Sequence, residues 1–239
     1  MIISFTDFGL EGPYIGQVLA VLYREAPGVP VVNLQADAPD PLSAAYLLAA
    51  YVSAFPEESV FLCVVDPGVG SARLPLAVRA DGAWFVGPDN GLFELVMRRA
   101  GRVEVFVITW QPLRLTASFH GRDLFAPVAA HLARGQPVPG RPVSQTVVAR
   151  PDWPDDLPAI VYVDRFGNGM TGLRASVVAQ EAMLSCGCHR LQRAQTFSEV
   201  PIGMAFWYEN ANGLVEIAVN QGRAVERLGL TIGKKVIVD

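Results

Sequence analysis

One loop in the first half of the chain carries an acid, a guanidinium and two glycines within eight positions. Asp66 follows an apolar run at 59–65, and Arg73 follows Asp66 by seven residues. Pro67 disfavours the helical region for the residue before it, so Asp66 is predicted to adopt an extended or turn conformation. The glycines that follow allow a tight turn or a close approach of backbone to a ligand. The loop therefore offers a carboxylate, a cation and bare backbone for chemistry on a small molecule.

Two acids are predicted to lie at one edge of a sheet. The run at 59–65 is apolar at nearly every position, as in a central parallel strand, and residues 1–5 form another apolar run shortly before Asp7. Ligands of open α/β sheets bind at the carboxyl ends of the strands, where Asp7 and Asp66 both stand. A carboxylate there is a natural acceptor for the two hydroxyls of a ribose. Each acid alone is equally well explained as a cap of the next helix or turn.

His120 is a candidate for proton transfer. It precedes a predicted helix at 124–133 and has Arg122 and Asp123 beside it. An imidazole can accept or release a proton near neutral pH, although a lone histidine is more often structural. Structural roles are favoured for both neighbours, Asp123 as an acid of the first helical turn and Arg122 as its ion-pair partner.

Two further clusters have more than one explanation. Asp164 and Asn168 bracket a glycine-containing turn, which is either a tight structural turn or a ligand site. The segment 186–189, Cys-Gly-Cys-His, has metal-ligand residue types, but a single such cluster does not assemble the four ligands of a closed zinc site. No metal is therefore expected.

The order of predicted elements divides the chain into two domains. Apolar strands alternate with helices in residues 1–140, which predicts right-handed crossovers and an α/β domain with a Rossmann-like, mostly parallel sheet. Six prolines between residues 135 and 158 are typical of a linker, which is placed at 141–157. Short β-type runs dominate residues 158–239 and predict a smaller, antiparallel, β-barrel-like domain.

The composition argues against several classes of protein. The net charge of −4 disfavours nucleic acid as the main partner. No apolar run reaches the roughly 18 residues needed to span a bilayer, and the first residues lack the basic segment of a signal peptide. Three cysteines do not make a disulfide framework. These features predict a cytoplasmic protein that binds neither nucleic acid nor membrane.

Five short segments occur in the same order as in one known family and extend over most of the chain. Together they resemble the S-adenosylmethionine (SAM) hydroxide adenosyltransferase family, the adenosine-forming SAM hydrolases, which are related to fluorinating and chlorinating enzymes. The resemblance also reaches residues 196–197 and 210–222. The five segments are 6–9 (Thr-Asp-Phe-Gly), 65–70 (Val-Asp-Pro-Gly-Val-Gly), 87–91 (Gly-Pro-Asp-Asn-Gly), 119–123 (Phe-His-Gly-Arg-Asp) and 164–168 (Asp-Arg-Phe-Gly-Asn).

The resemblance implies a reaction and its catalytic residues. Water or hydroxide attacks C5′ of SAM and yields adenosine and L-methionine, and no cofactor takes part because SAM is the substrate. Asp66, Arg73 and His120 match the family's catalytic set. The family also implies a homotrimer, in which each site lies between the first domain of one subunit and the second domain of its neighbour.

The same resemblance implies residues that bind the substrate. Asp7 matches the acid that holds the ribose hydroxyls. Asp164 and Asn168 match positions that hold the methionine and ribose parts. Phe119 and Phe197 match aromatic walls of the pocket.

The resemblance leaves three functions to compare: hydrolysis of SAM, halogenation with SAM, and binding of SAM without reaction. The chain departs from the halogenating relatives at 211–212, where Ala-Asn replaces Ser-Arg, and at Met170, which replaces a tryptophan. Hydrolysis is favoured because Asp66 would repel a halide and because the insertion that the resemblance associates with the fluorinating branch is missing between Ala80 and Trp84. A non-catalytic SAM- or adenosine-binding protein remains the alternative. A methyltransferase is disfavoured because no glycine-rich loop follows the first strand.

Overall fold

The chain divides into two compact units, Met1–Asp152 and Trp153–Asp239, in the computed structural model, which describes every residue from Met1 to Asp239. Each unit has its own seven-stranded sheet and its own apolar core. None of the α-helices has the length and apolar character that crossing a lipid bilayer requires.

The first unit contains seven strands and four α-helices. The strands are β1 (Ile2–Thr6), β2 (Val31–Gln35), β3 (Val60–Val64), β4 (Pro75–Ala80), β5 (Ala83–Pro88), β6 (Val103–Ile108) and β7 (Gly140–Val143). The helices are α1 (Pro13–Glu25), α2 (Pro41–Tyr51), α3 (Glu94–Arg99) and α4 (Ala126–Ala133).

The sheet of the first unit is mixed and has the strand order β2-β1-β3-β5-β4-β6-β7. The pairs among β2, β1, β3 and β5 are parallel, whereas β4 is antiparallel to both β5 and β6, and β7 is antiparallel to β6. The predicted mostly parallel sheet is thus corrected to one that is parallel in one half and antiparallel in the other. The reason is the two-residue turn between β4 and β5, since a parallel connection needs about a dozen residues or more. Asp81 and Gly82 in that turn have φ of 46° and 101°, as a type I′ hairpin turn requires.

Strand β3 is buried at all of its positions and leads into the loop that carries Asp66. Val60, Leu62 and Val64 pack in a core cluster with residues of α1 and α4. Phe61 alternates to the opposite face, where its ring stacks on Phe85 of β5 with centroids 4.9 Å apart. Packing on both faces gives the acid a rigid support.

The helix predicted from residue 124 begins earlier, as a π-helical turn at Gly121–Phe125 that continues into α4. Pro127 has no N–H and cannot donate to the carbonyl four residues before it, which favours a wider turn at this point. The N–H of Ala126 bonds instead to the carbonyl of Gly121, five residues before it. Such turns are frequent at functional sites, and this one follows His120 directly.

The proline-rich segment predicted as a linker contains structure of the first unit. Strand β7 pairs with β6 at the sheet edge, where Pro142 is tolerated because an edge strand can spare an N–H. Farther on, the backbone N–H of Arg150 donates to Glu94 at 2.8 Å and its guanidinium donates to Asp89 at 2.9 Å. These contacts hold residue 150 against the first unit, which ends at residue 152.

The second unit contains seven strands and one short α-helix, α5 (Ala224–Leu228). The strands are β8 (Leu157–Val163), β9 (Gly169–Arg174), β10 (Leu184–Cys186), β11 (His189–Arg193), β12 (Ala205–Glu209), β13 (Leu214–Val219) and β14 (Ile237–Val238).

The sheet of the second unit is nearly a closed barrel with the order β14-β10-β11-β12-β13-β9-β8. Strand β14 pairs with β10, while the residues just before it bond to β8 at the other end of the order, through Ile160 N–H to the Lys234 carbonyl at 2.9 Å and Val236 N–H to the Pro158 carbonyl at 2.8 Å. The predicted antiparallel arrangement needs one correction, because β11 and β12 are parallel. The segment 194–204 between them is long enough to return the chain to the same end of the sheet.

Gly87 of β5 is predicted to tolerate no side chain. A Cβ there would overlap the carbonyl oxygen of Cys63 and approach the Phe93 ring to 3.0 Å. Because the first of these neighbours is backbone of the adjacent buried strand β3, we expect Gly87→Ala to lower the free energy of unfolding by about 3 kcal/mol, measured by urea denaturation. Gly16→Ala in α1, where a Cβ meets nothing within 4 Å, is the control and should raise it by about 0.5–1 kcal/mol. Wild-type stability of Gly87→Ala would contradict this packing.

Candidate functional site

A buried ion pair occupies the loop that follows β3. The Asp66 carboxylate accepts a hydrogen bond from Arg73 Nε at 2.7 Å, and its second oxygen accepts one from Arg73 Nη2. The side chains of Asp66 and Arg73 are only 5% and 9% exposed. Backbone hydrogen bonds from Val69 to Asp66 and from Ser71 to Gly68 fold the loop and return Arg73 to the acid. Both carboxylate oxygens are therefore engaged by one guanidinium fork, a strong geometry for such a pair.

Asp7 lies against the same loop, at the end of β1. Parallel pairing sets Thr6 of β1 opposite Val64 of β3, and Asp7 Oδ2 accepts the Asp66 N–H at 3.1 Å. Burial raises the pKa of Asp7, and the negative charge of Asp66 adds to this rise, while hydrogen bonds from the backbone of Asp66 and Asp7 partly offset it. The net shift is upward, as expected for a carboxylate that has lost water and stands near a second acid.

His120 lines the same cavity as Asp7 and Asp66. Burial lowers the pKa of its imidazole and the positive charge of Arg73 lowers it further, whereas Asp66 and Asp123 act in the opposite direction without reversing the shift. A histidine whose pKa lies below the ordinary value is neutral at pH 7 and has a nitrogen free to accept a proton. A neutral base thus lines the same cavity as the acid of the buried ion pair.

Aromatic side chains form one wall of this cavity. Phe119 packs edge-to-face on Phe8 and Tyr14, with ring centroids 5.6 and 5.3 Å away. Gly121 leaves room for this cluster, because a Cβ there would approach the Phe8 ring to 2.6 Å. The Arg122 guanidinium lies 4.9 Å from the centroid of the Phe119 ring, a cation–π contact. Phe119 is therefore held in place by several neighbours.

Arg122 and Asp123 tie the π-helical turn to the segments around it. Asp123 accepts hydrogen bonds from Arg122 Nε at 2.6 Å and from the Thr116 N–H at 2.9 Å, and Arg122 also donates to Gln17 of α1 at 2.7 Å. Burial acts to raise the pKa of Asp123, but the hydrogen bonds from Arg122 and Thr116 outweigh it and lower the pKa to about 2. Arg122 and Asp123 therefore have structural roles, because they hold the π-helical turn against Thr116 and against Gln17 of α1.

The first unit has an open cavity of about 290 Å³ at this edge of its sheet. Few polar groups converge on an aromatic and aliphatic wall, which is typical of sites for small molecules. The residues that line it are Asp7, Phe8, Tyr14, Val64, Asp66, Val69, Ser118, Phe119, His120 and Gly121.

The second unit has a cavity of its own, of about 570 Å³. Asp164 and Asn168 stand at its wall in a tight turn, in which the Asn168 N–H donates to Asp164 Oδ1 at 2.8 Å and Gly167 has a φ of 85°. Only glycine adopts such a φ without strain, so the turn depends on Gly167. The residues that line this cavity are Asp164, Phe166, Asn168, Phe197, Tyr208, Val219, Gln221, Gly222 and Arg223.

A buried carboxylate stands behind the second cavity. Glu216, 2% exposed, accepts a hydrogen bond from the Tyr208 hydroxyl at 2.5 Å and one from Asn210 Nδ2 at 2.9 Å. Burial raises the pKa of Tyr208, and the hydrogen bond to Glu216 raises it further. Tyr208 in turn packs on Phe197, with ring centroids 5.5 Å apart. The network fixes the aromatic wall of the cavity.

The structure brings the predicted site residues together in two groups, one in each unit. In the first unit Asp7, Asp66, Phe119 and His120 line one cavity and Arg73 pairs with Asp66. In the second unit Asp164, Asn168 and Phe197 line the other cavity.

Sequence reasoning missed residues at both cavities. In the first unit it did not single out Phe8 or Tyr14, whose aromatic rings carry no spacing signal. In the second it missed Tyr208 and Glu216, although a single acid inside the apolar strand at 214–219 is a usable signal, since a buried carboxylate must have partners.

The Cys-Gly-Cys-His segment forms the hairpin between β10 and β11, with Cys186 buried and Cys188 exposed. No three His, Cys, Asp or Glu side chains of the chain are grouped in a way that could hold a metal ion.

Two family models together match almost the whole chain. The model of the SAM hydroxide adenosyltransferase N-terminal domain matches residues 2–140, and that of the SAM hydroxide adenosyltransferase C-terminal domain matches residues 158–237. The two matches fall in the two units and cover the cavity-lining residues of both.

Individual proteins support the same relationship. The chain is 42% identical to the (R)-S-adenosyl-L-methionine hydrolase of Thermus thermophilus over 97% of this chain and 96% of that protein, and 36% identical to the enzyme of the same name from Salinispora arenicola over 99% and 97%. A fluorinase from Actinopolyspora mzabensis is more distant, at 25% identity over 77% of this chain and 78% of the fluorinase. The crystal structure of an uncharacterised conserved protein from Thermotoga maritima has the same fold, with a TM-score of 0.89, 29% identity and complete coverage of both chains.

The lowered pKa of His120 gives a pH dependence that can be measured. Because the unfolded chain has the ordinary value of 6.5, it binds more protons than the folded chain between the two pKa values. We therefore expect the contribution of neutral His120 to stability to be present above about pH 6.5 and to be lost as the pH falls through its folded pKa. An NMR titration of the three histidines should place the His120 pKa below 6.5.

Arg73→Gln should raise the pKa of His120, because the substitution removes a repulsive cation and leaves Asp66 unpaired. Arg79→Gln, on β4 and outside the cavity, is the matched control and should leave the titration of His120 unchanged. The electrostatic explanation fails if the His120 curve is the same in wild type and Arg73→Gln.

Proposed function

The chain belongs to the SAM hydroxide adenosyltransferase family, and we propose that it hydrolyses SAM to adenosine and L-methionine. The observation that carries the proposal is the Asp66–Arg73 ion pair beside a neutral His120, in a cavity that also contains Asp7. The relatives at 36–42% identity are named (R)-SAM hydrolases, so the R configuration at sulfur is proposed for this substrate as well.

Because the leaving sulfur of SAM is a sulfonium, the reaction needs few functional groups from the protein. Sulfur leaves with the electrons of the C5′–S bond and becomes the neutral thioether of methionine, so no acid is needed at the leaving group. The oxygen of water forms the new bond to C5′, and one of its protons must be taken up. The protein has to place that water in line with the C5′–S bond and accept the proton.

The ion pair of Asp66 and the lowered pKa of His120 favour His120 as the proton acceptor. Both oxygens of Asp66 already accept hydrogen bonds from Arg73, whereas the lowered pKa of His120 leaves its imidazole neutral. In this assignment Arg73 stabilises the hydroxide character that develops on the water, and Asp66 fixes the guanidinium. A positioned base contributes typically about 10²–10⁴-fold to the rate.

The other predicted residues are proposed to bind the substrate. Asp7 holds the ribose hydroxyls, and its location next to the Asp66 loop sets C5′ near the water. Phe119 provides an apolar face that its edge-to-face neighbours keep in place. Asp164 and Asn168 hold the methionine and ribose parts, with Phe197 as a second aromatic wall.

We propose that the protein works as a homotrimer, in which the second unit of a neighbouring copy completes the site of the first unit. Large apolar side chains support this, because they stand exposed at or near both cavities. At the first these are Leu10 (73% exposed) and Tyr14 (53%), and at the second Phe166 (74%). Water exposure of several such side chains next to a site is typical of an interaction surface.

The hydrolase proposal is tested by incubating the purified protein with each sulfonium epimer of SAM, without halide, and separating the products. Wild type is expected to form adenosine and methionine in equal amounts. Asp66→Asn should lower kcat by about 10²–10⁴-fold, because Arg73 and the water lose their fixed orientation. Asp152→Asn, a matched change at an exposed acid of the same unit, should keep wild-type activity.

Other outcomes of this assay favour other functions. SAM that binds and is recovered unchanged would mean a non-catalytic binding protein. Product that requires added chloride would mean a halogenase.

The shared site is tested by mixing two variants that are each inactive. Asp66→Asn damages the first unit and Phe197→Ala the second, so a trimer assembled from both contains some sites with two intact halves. We expect activity to return after the two are unfolded and refolded together, and a mass three times that of the 25.8 kDa chain. Activity that never returns, or a monomeric mass, would refute the shared site.

A further inference from the structure

The peptide group between Val65 and Asp66 is held by a side chain on each side. Its carbonyl, on Val65, accepts a hydrogen bond from Asn90 Nδ2 at 2.7 Å. Its N–H, on Asp66, donates to Asp7 Oδ2 at 3.1 Å. A peptide group is planar and rigid, so holding its oxygen and its nitrogen restricts the orientation of the plane and the position of the Asp66 Cα, from which the carboxylate side chain leaves.

Asn90 is itself oriented by its surroundings. Its Oδ1 accepts the Leu92 N–H at 3.3 Å, so both ends of the amide have partners and a flipped amide would lose both bonds. The neighbouring residues are anchored too, since Asp89 forms an ion pair with Arg150 at 2.9 Å. The segment 87–91 thus presents one amide donor to the strand end that precedes Asp66.

We infer that Asn90 and Asp7 form a peptide clamp that aims Asp66, and through it Arg73, at the attacking water. This inference rests on the proposed hydrolysis. Asn90 is a positioning residue, because it touches the backbone before Asp66 and none of the reacting atoms. Asp7 has two tasks, since the carboxylate proposed to hold the ribose also holds the peptide of the acid, which links substrate binding to the geometry of the ion pair.

The decisive variant is Asn90→Asp. It keeps the size of the side chain and the oxygen that accepts from Leu92, but it replaces the donor to the Val65 carbonyl with an oxygen. We expect kcat to fall about 10- to 100-fold while KM changes less than about threefold, because the clamp acts on orientation rather than on binding.

A matched control separates positioning from stability. Thr171→Val removes a buried side-chain donor, 2.8 Å from the Val215 carbonyl, in the core of the second unit and away from both cavities. Like Asn90→Asp, it removes a hydrogen bond from a side chain to a backbone carbonyl and should lower Tm, but it should leave kcat unchanged. The clamp is overturned if Asn90→Asp keeps the wild-type kcat, or if Thr171→Val loses as much activity for the same loss of Tm.

A second measurement does not depend on activity. Hydrogen exchange of the Asp66 amide, followed by mass spectrometry of peptides that cover residues 60–73, should be slow in wild type and in Thr171→Val. It should be at least about tenfold faster in Asn90→Asp, which frees the carbonyl side of the peptide, and in Asp7→Ala, which removes the acceptor of the Asp66 N–H. Asp7→Asn, which retains an oxygen as acceptor, should exchange more slowly than Asp7→Ala.

The two measurements distinguish failure of the clamp from failure of the proposed function. If wild type forms no adenosine but exchange responds to Asn90→Asp, the hydrolase is wrong and the clamp stands as a device that fixes the loop. If adenosine forms and neither kcat nor exchange responds to Asn90→Asp, the hydrolase stands and the clamp is wrong.

Discussion

The structure of the first unit depends on the burial of two opposite charges in one loop. Removing a carboxylate and a guanidinium from water has a large cost, which is recovered only when the pair has good geometry and its remaining polar groups have partners. Asp66 and Arg73 have that geometry, because Nε and Nη2 of the guanidinium donate to the two carboxylate oxygens. The β-strand beneath, the glycines of the loop and the clamped peptide before Asp66 are the means by which the chain keeps that geometry.

The second unit solves a similar problem with different residues. Glu216 is more deeply buried than Asp66, 2% exposed against 9%, and it is satisfied by a phenol and an amide instead of a guanidinium. Its partner Tyr208 faces a cavity, so the buried acid supports the wall instead of standing at it. In the first unit the buried acid belongs to the cavity itself, with a neutral imidazole beside it. The difference suits the proposed division, in which the first unit carries the reacting residues and the second binds substrate.

Local rules of sequence predicted the strands and the acids that end them. Asp66-Pro67 marks the end of β3 because proline restricts the residue before it, and the apolar run shows that the strand is buried. The resemblance placed Arg73 and Asp66 in one catalytic set, but their ion pair was not predicted, since seven residues of spacing do not fix a loop conformation.

The parts that sequence did not predict depend on pairing between distant segments. Alternating strands and helices suggested a mostly parallel sheet, yet the short turn at Asp81-Gly82 already limited β4 and β5 to a hairpin. Strand β7 was missed because its proline is typical of loops and only its location at the edge makes it acceptable. Tyr208 and Glu216 were missed because which strand neighbours meet is a property of register, which a single sequence does not specify.

The hairpin of β4 and β5 gives the first unit a local place to begin folding. These two strands are adjacent in sequence, with Ala80 opposite Ala83, whereas β1 must find β3 across a long intervening segment, with Ile2 opposite Val60. Local contacts close small loops and lose less chain entropy, so they form early. We expect this hairpin to form first and to offer the edge of β5 to which β3 and then β1 are added. Mutational analysis of folding rates would show this as larger effects on folding in the hairpin than in β1. The strand ends that bear Asp66 and Asp7 would then be assembled late, onto a hairpin that is already built.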